Sequence, residues 1–125
     1  MKLIVLAAAG TLAAGGAASA ARVERVHVVE GRPFEFSISL SPGFVRTGTV
    51  LFLIRNEGRI PHDVAARGKV SSRTAPGASS RLEVRFPVKG VYALRSDILG
   101  QAEAGMTTYL TVLGPRLVSP DGTGR

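Results

Sequence analysis

Hydrophobic and polar residues alternate with a period of two along most of this chain, not with the 3.6 of a helix. Phe34, Phe36, Ile38 and Leu40 alternate with Glu35, Ser37 and Ser39, which predicts a strand with one buried face. Leu82, Val84 and Phe86 do the same against Arg81, Glu83 and Arg85. Between them Val50, Phe52 and Ile54 alternate with Leu51 and Leu53, so both faces are apolar and this strand is expected at the centre of a sheet. Residues 23–29, 91–94 and 107–113 complete the set of strands. Turn signals separate the runs: Glu30-Gly31, Pro42-Gly43, Glu57-Gly58, Pro76-Gly77 and the Pro87 to Gly90 stretch. Short strands at this spacing predict an all-β sandwich, with no helix and no internal repeat.

The first 20 residues break the pattern. Lys2 precedes an unbroken apolar run from Leu3 to Ala9, and a small-residue stretch follows that ends in Ala18-Ser19-Ala20. That is the layout of a secretory signal peptide cut after Ala20. A spanning helix needs about 20 consecutive apolar residues, and Gly10, Gly15 and Gly16 interrupt this one. The expected organisation is a signal peptide over 1–20, a domain over 21–114 and a flexible tail over 115–125. The tail is marked by Pro115, Pro120, Gly122 and Gly124. The mature protein is then periplasmic or secreted, with no transmembrane segment.

The chain carries a net charge of +7, of which Lys2 leaves with the signal, and no lysine or arginine block stands out. A nucleic-acid partner calls for a basic stripe with stacking aromatics, so none is expected. The basic surface suits solubility first, and attraction to an acidic partner or to anionic lipid second. The chain contains no cysteine. Disulfides, thiolate nucleophiles, redox pairs and thiolate metal ligands are all excluded, and the domain must hold together by packing.

Catalytic patterns are absent. There is no G-x-S-x-G elbow, no HExxH and no P-loop, and only two histidines are present, His27 and His62. His27 stands between Val26 and Val28 in the first strand, where the two-fold alternation makes it a surface or edge residue. The chain is not expected to be an enzyme.

One ordered set of motifs resembles a known family. The stretch from Asn56 to Asp63, Asn-Glu-Gly-Arg-Ile-Pro-His-Asp, is similar to the N-x-G…P-H segment of bacterial cupredoxins, where the histidine is the first copper ligand. Pro76-Gly77, the Pro87 to Gly90 turn and Tyr92 follow in the family's order. The stretch from Tyr92 to Val112 resembles the copper loop and last strand, whose longer form reads Cys-x4-His-x4-Met with glycine before the histidine and the methionine. Here Ser96, Gln101 and Met106 stand at those three positions, with Gly100 and Gly105 in the glycine places.

The resemblance implies a cupredoxin-like Greek-key β-sandwich. It also implies that His62 and Met106 match two ligand positions, while Ser96 and Gln101 replace the cysteine and the second histidine. A type 1 copper site is His2Cys with a long axial bond. Serine does not ionise near neutral pH, and a glutamine amide is a weaker donor than imidazole. No cofactor is therefore expected. Two readings follow: a binding or accessory module with an unnamed protein partner, or weak Cu(I) handling through His62 and Met106, for which imidazole and thioether are suitable ligands. The plainer alternatives are a hydrogen-bonded loop histidine and a methionine that fills the core. Asp63 and Asp97 flank the same pole and offer oxygen ligands. An electron-transfer role, usual for the family, runs against these residues.

Overall fold

A computed structural model describes residues 22–115. The predicted signal peptide, and the predicted tail beyond Pro115, lie outside the described residues. Among those described, no helix is long and apolar enough to cross a membrane.

Strands form where apolar and polar residues alternate, because each strand can then bury one face. β1 (Val23–Glu30), β4 (Gly48–Asn56) and β7 (Ser79–Phe86) are the long members of the first sheet. Its order is β2-β1-β4-β7, with β2 spanning Ile38–Ser41. β1 runs parallel to β4, whereas the β1–β2 and β4–β7 pairs are antiparallel. The second sheet has the order β3-β9-β8-β5-β6, built from β3 (Phe44–Arg46), β5 (Ala65–Ala66), β6 (Lys69–Val70), β8 (Gly90–Arg95) and β9 (Thr107–Leu113). The chain passes repeatedly from one sheet to the other, giving the all-β sandwich that the alternation predicts, with the Greek-key form that the resemblance implies.

The inner faces meet in one core. Val26 and Val28 of β1, Val50, Phe52 and Ile54 of β4, and Val84 and Phe86 of β7 are buried against Leu94 of β8 and Leu110 and Val112 of β9. Each such large side chain contributes about 1.5–3 kcal/mol when fully buried. Phe86 stands edge-on to both Phe52 and Tyr92, with ring centroids 6.2 and 4.9 Å apart. β4 lies between β1 and β7, as its apolar double face requires.

Two expectations need correction. Residues 34–40 do not form one strand: the ladder begins only at Ile38. Before it, the Ser37 hydroxyl accepts from the Phe34 amide at 3.2 Å and donates to the Phe34 carbonyl at 2.7 Å, which closes a turn. A serine's local bonding to the backbone competes with strand pairing, and here it wins. The second is the placing of β1, which is an inner strand flanked by β2 and β4, so His27 meets its expectation as an exposed surface residue and not as an edge one.

Candidate functional site

The strand ends at one pole of the sandwich carry a buried polar cluster. The C-termini of β1, β4 and β8 and the N-termini of β7 and β9 meet there, joined by the loops 31–37, 57–64 and 96–106. Asn56, the last residue of β4, fixes the second loop. Its Nδ2 donates to the carbonyls of Ile60 and Thr74, both at 2.8 Å, and its Oδ1 accepts from the Gly58 amide at 2.7 Å. A Cβ at Gly58 would displace the Glu35 carboxylate from its place beside His62.

His62 is fully buried within this loop. Its backbone pairs with Thr74, and its ring is held from both sides. Nδ1 lies 2.9 Å from Gln101 Oε1, and Nε2 lies 2.7 Å from Glu35 Oε2. Gln101 Nε2 donates to the Pro61 carbonyl at 3.1 Å, which fixes the amide with its oxygen toward the imidazole. Both ring nitrogens therefore face acceptors. The two contacts hold the imidazole from both sides and fix its orientation.

Gln101 Oε1 is the hub of the cluster. Besides His62 Nδ1 it meets the Ser96 hydroxyl at 3.0 Å. That hydroxyl lies equally near Asp63 Oδ1, at 3.0 Å, so one proton serves two acceptors. Asp63 Oδ1 also accepts from the Asp97 amide at 2.7 Å, and Ser96 Oγ accepts from the Ile98 amide at 3.2 Å. The structure thus brings His62, Ser96 and Gln101 into one hydrogen-bonded network, with Asp63 inside it and the Asp97 side chain exposed. Met106 joins through its backbone: its carbonyl accepts from the Ser96 amide at 3.1 Å, and its amide donates to the Gln101 carbonyl at 3.0 Å. Its side chain is fully buried in the core cluster. Gly105, at φ 129°, makes the tight return before it, where a Cβ would stand 2.9 Å from the Phe36 carbonyl oxygen.

Two carboxylates of the pole are not signalled by the sequence pattern. Glu35 sits in the turn that replaces the expected strand. Its oxygens accept from the Arg59 amide at 2.9 Å and the Ile60 amide at 3.3 Å, besides His62. Burial works to raise its pKa, but the Arg59 amide, His62 and the Ile60 amide together lower it. Glu30, the last residue of β1, is fully buried, and neither carboxylate oxygen has a hydrogen-bond partner. Burial pushes its pKa up to about 7; the charge of His62 opposes that rise and the charge of Asp63 adds to it. In the sequence, the Glu30-Gly31 pair carries only a turn signal.

No protein-family model matches the chain, and no curated protein matches it in sequence. Solved structures do match in fold. Auracyanin B aligns with a TM-score of 0.59 at 15% identity, over 71% of this chain and 88% of its own. Auracyanin A, a blue copper protein from the green thermophilic photosynthetic bacterium Chloroflexus aurantiacus, aligns with a TM-score of 0.57 at 14% identity, over 73% and 99%. The dithionite-reduced auracyanin of Roseiflexus castenholzii aligns with a TM-score of 0.56 at 13% identity, over 75% and 98%. The fold is that of the cupredoxins.

The residues at this pole do not fit a type 1 copper site. The strong donor of such a site is a thiolate, and this chain has no cysteine. Ser96, Gln101 and His62 direct their polar atoms at one another, and neither ring nitrogen of His62 is free. Among the described residues no group of three or more histidine, cysteine or acidic side chains is placed to hold a metal ion.

Proposed function

We propose that this is an exported cupredoxin-like domain that acts as a binding or accessory module, not as an electron carrier, and that it meets a protein partner at the pole over His62. The observation that carries this reading is the self-satisfied network. Gln101 Oε1 accepts from groups that would otherwise point at a metal, and Glu35 holds the far side of the imidazole. The cluster works as a latch on three loops. Those loops expose Phe34 at 74%, Leu99 at 99% and Ile60 at 39%. Apolar side chains set on a fixed polar base suit the centre of a protein–protein contact. Weak Cu(I) binding through His62 and Met106 is the competing reading, and it requires Nδ1 to leave Gln101.

Two measurements separate these readings. Titration with Cu(I) against a competing chelator is expected to show no binding that His62→Ala or Met106→Ala weakens. Such a loss would favour copper handling. A photo-crosslinker placed at Leu99 in cells is expected to give a discrete conjugate that is lost in Phe34→Ser. The control position is Val88, in the turn between β7 and β8 at the opposite end. Equal labelling from both positions would rule out the pole as the contact.

A further inference from the structure

The basic residues that look scattered in the sequence are gathered by strand register on the outer face of the first sheet. His27 of β1 lies beside Leu53 of β4, and Leu53 lies opposite Arg81 of β7. In the neighbouring row Val29 lies beside Arg55, which is opposite Ser79. Toward the other end come Arg25, Leu51 and Glu83, then Val23, Thr49 and Arg85. Side chains two apart on a strand share a face. The outward positions of β1, β4 and β7 therefore carry Arg25, Arg55, Arg81 and Arg85 against a single carboxylate, Glu83. Arg55 is paired with Glu57 at 3.5 Å. Among the described residues, Arg25, Arg81 and Arg85 have no carboxylate within 4.0 Å. A shallow groove of about 590 Å³ lies toward the end of this face where β4 finishes and β7 begins, lined by His27, Leu53, Arg55, Ser79, Ser80 and Arg81 among others.

We propose that this face docks an acidic segment of a protein partner, on the side of the sheet away from the core. The charge balance calls for a polyanion. The fork of an arginine matches a carboxylate with two parallel hydrogen bonds, and Arg55 and Arg81 flank the groove on adjacent strands. Leu51, between Arg25 and Glu83, and Leu53, between His27 and Arg81, are half-buried and give an apolar centre with a charged rim. A lipid surface fits less well. Insertion into the headgroup boundary needs protruding apolar side chains, and the central leucines are recessed. Nucleic acid fits less well again, because this face carries no phenylalanine, tyrosine or tryptophan for bases to stack on, only the His27 ring.

The test uses the full chain with labelled short poly-L-glutamate as probe, and in parallel vesicles of phosphatidylglycerol in phosphatidylcholine. Poly-L-glutamate is expected to bind in low salt and to shift the backbone amides of β1, β4 and β7. Arg55→Gln with Arg81→Gln is expected to weaken that binding about ten-fold, consistent with loss of charge-paired contacts. Lys69→Gln with Arg95→Gln, exposed on the second sheet, removes the same charge and is expected to change it less than about two-fold. Thermal melts of both variants establish that each is folded. Equal weakening by the two pairs means that only net charge matters and overturns the proposal. Vesicle binding that depends on Arg55 and Arg81, without poly-L-glutamate binding, overturns it too, because the occupant is then a lipid.

Discussion

A single side-chain atom organises the pole. Gln101 Oε1 stands 2.9 Å from His62 Nδ1 and 3.0 Å from Ser96 Oγ, so three of the positions matched to copper ligands converge on one point. His62 and Ser96 thus both face Gln101, the side chain that stands where the resemblance places the second histidine. This gives a sharp expectation for the double substitution Ser96→Cys with Gln101→His. The first change swaps an oxygen for sulfur at a buried position and adds little volume. The second removes the hub oxygen and replaces it with an imidazole. Glu35 continues to hold His62 from the Nε2 side, a partner of the kind that fixes ligand orientation. The variant is expected to bind Cu(II) with an intense red-absorbing thiolate band, and wild type to stay pale. Affinity is expected to stay modest, because metal sites tolerate little displacement of their ligands. A folded variant that binds Cu(II) without that band would show that the loop 96–106 has taken a different path.

At the scale of elements, the loops matter more than the strands, and they are the harder part to read from sequence. β4 and β7 follow directly from alternation, because burial of every second side chain outweighs local preference there. Residues 34–37 alternate equally well, yet Ser37 bonds to the backbone of Phe34 and turns the chain. Alternation alone puts Glu35 on a solvent face, which hides its pairing with His62. The short strands β3, β5 and β6 are equally illegible, since two or three residues carry no measurable period. The motif Asn56-x-Gly58 is legible as a resemblance, but its physical role is not. Asn56 closes the loop with three hydrogen bonds at 2.7–2.8 Å. Asn56→Ala leaves the part-buried carbonyl of Ile60 and the buried carbonyl of Thr74 without this donor. The expected cost is roughly 2–3 kcal/mol, the range for breaking buried hydrogen bonds on one side only. Denaturant unfolding measures the cost. Hydrogen exchange should show faster opening of the amides of Gly58 and His62, while the centre of β4 changes only with global stability. Uniform acceleration along β4 would mean that Asn56 acts on the sheet and not on the loop.

For the whole molecule, two carboxylates at the same pole set opposing limits on stability. Glu30 is buried without partners and its pKa is held up at about 7, against an ordinary value of 4.5. Below the ordinary value both the folded and unfolded chains keep this proton. Between 4.5 and about 7 the unfolded chain releases it and the folded chain retains it, so the folded state binds more protons and stability falls as pH rises. The loss from this one group has an upper bound of roughly 3 kcal/mol, because each tenfold difference in proton affinity between the two states is worth about 1.36 kcal/mol. Glu35 acts in the other direction. Its lowered pKa contributes stability that is present above its unfolded value and is lost as pH falls through its folded value. The combined contribution of these two groups is greatest on the acid side of neutrality and declines toward pH 8. Glu30→Gln removes the titrating group and keeps the shape. Its amide brings a fixed cost of buried polarity that does not vary with pH, so the slope is the informative quantity. Urea midpoints measured from pH 5 to pH 8 are expected to decline for the wild-type chain and to stay nearly level for Glu30→Gln. A decline of equal steepness in both proteins would remove Glu30 as its source and would leave the buried, unpaired carboxylate without a thermodynamic consequence.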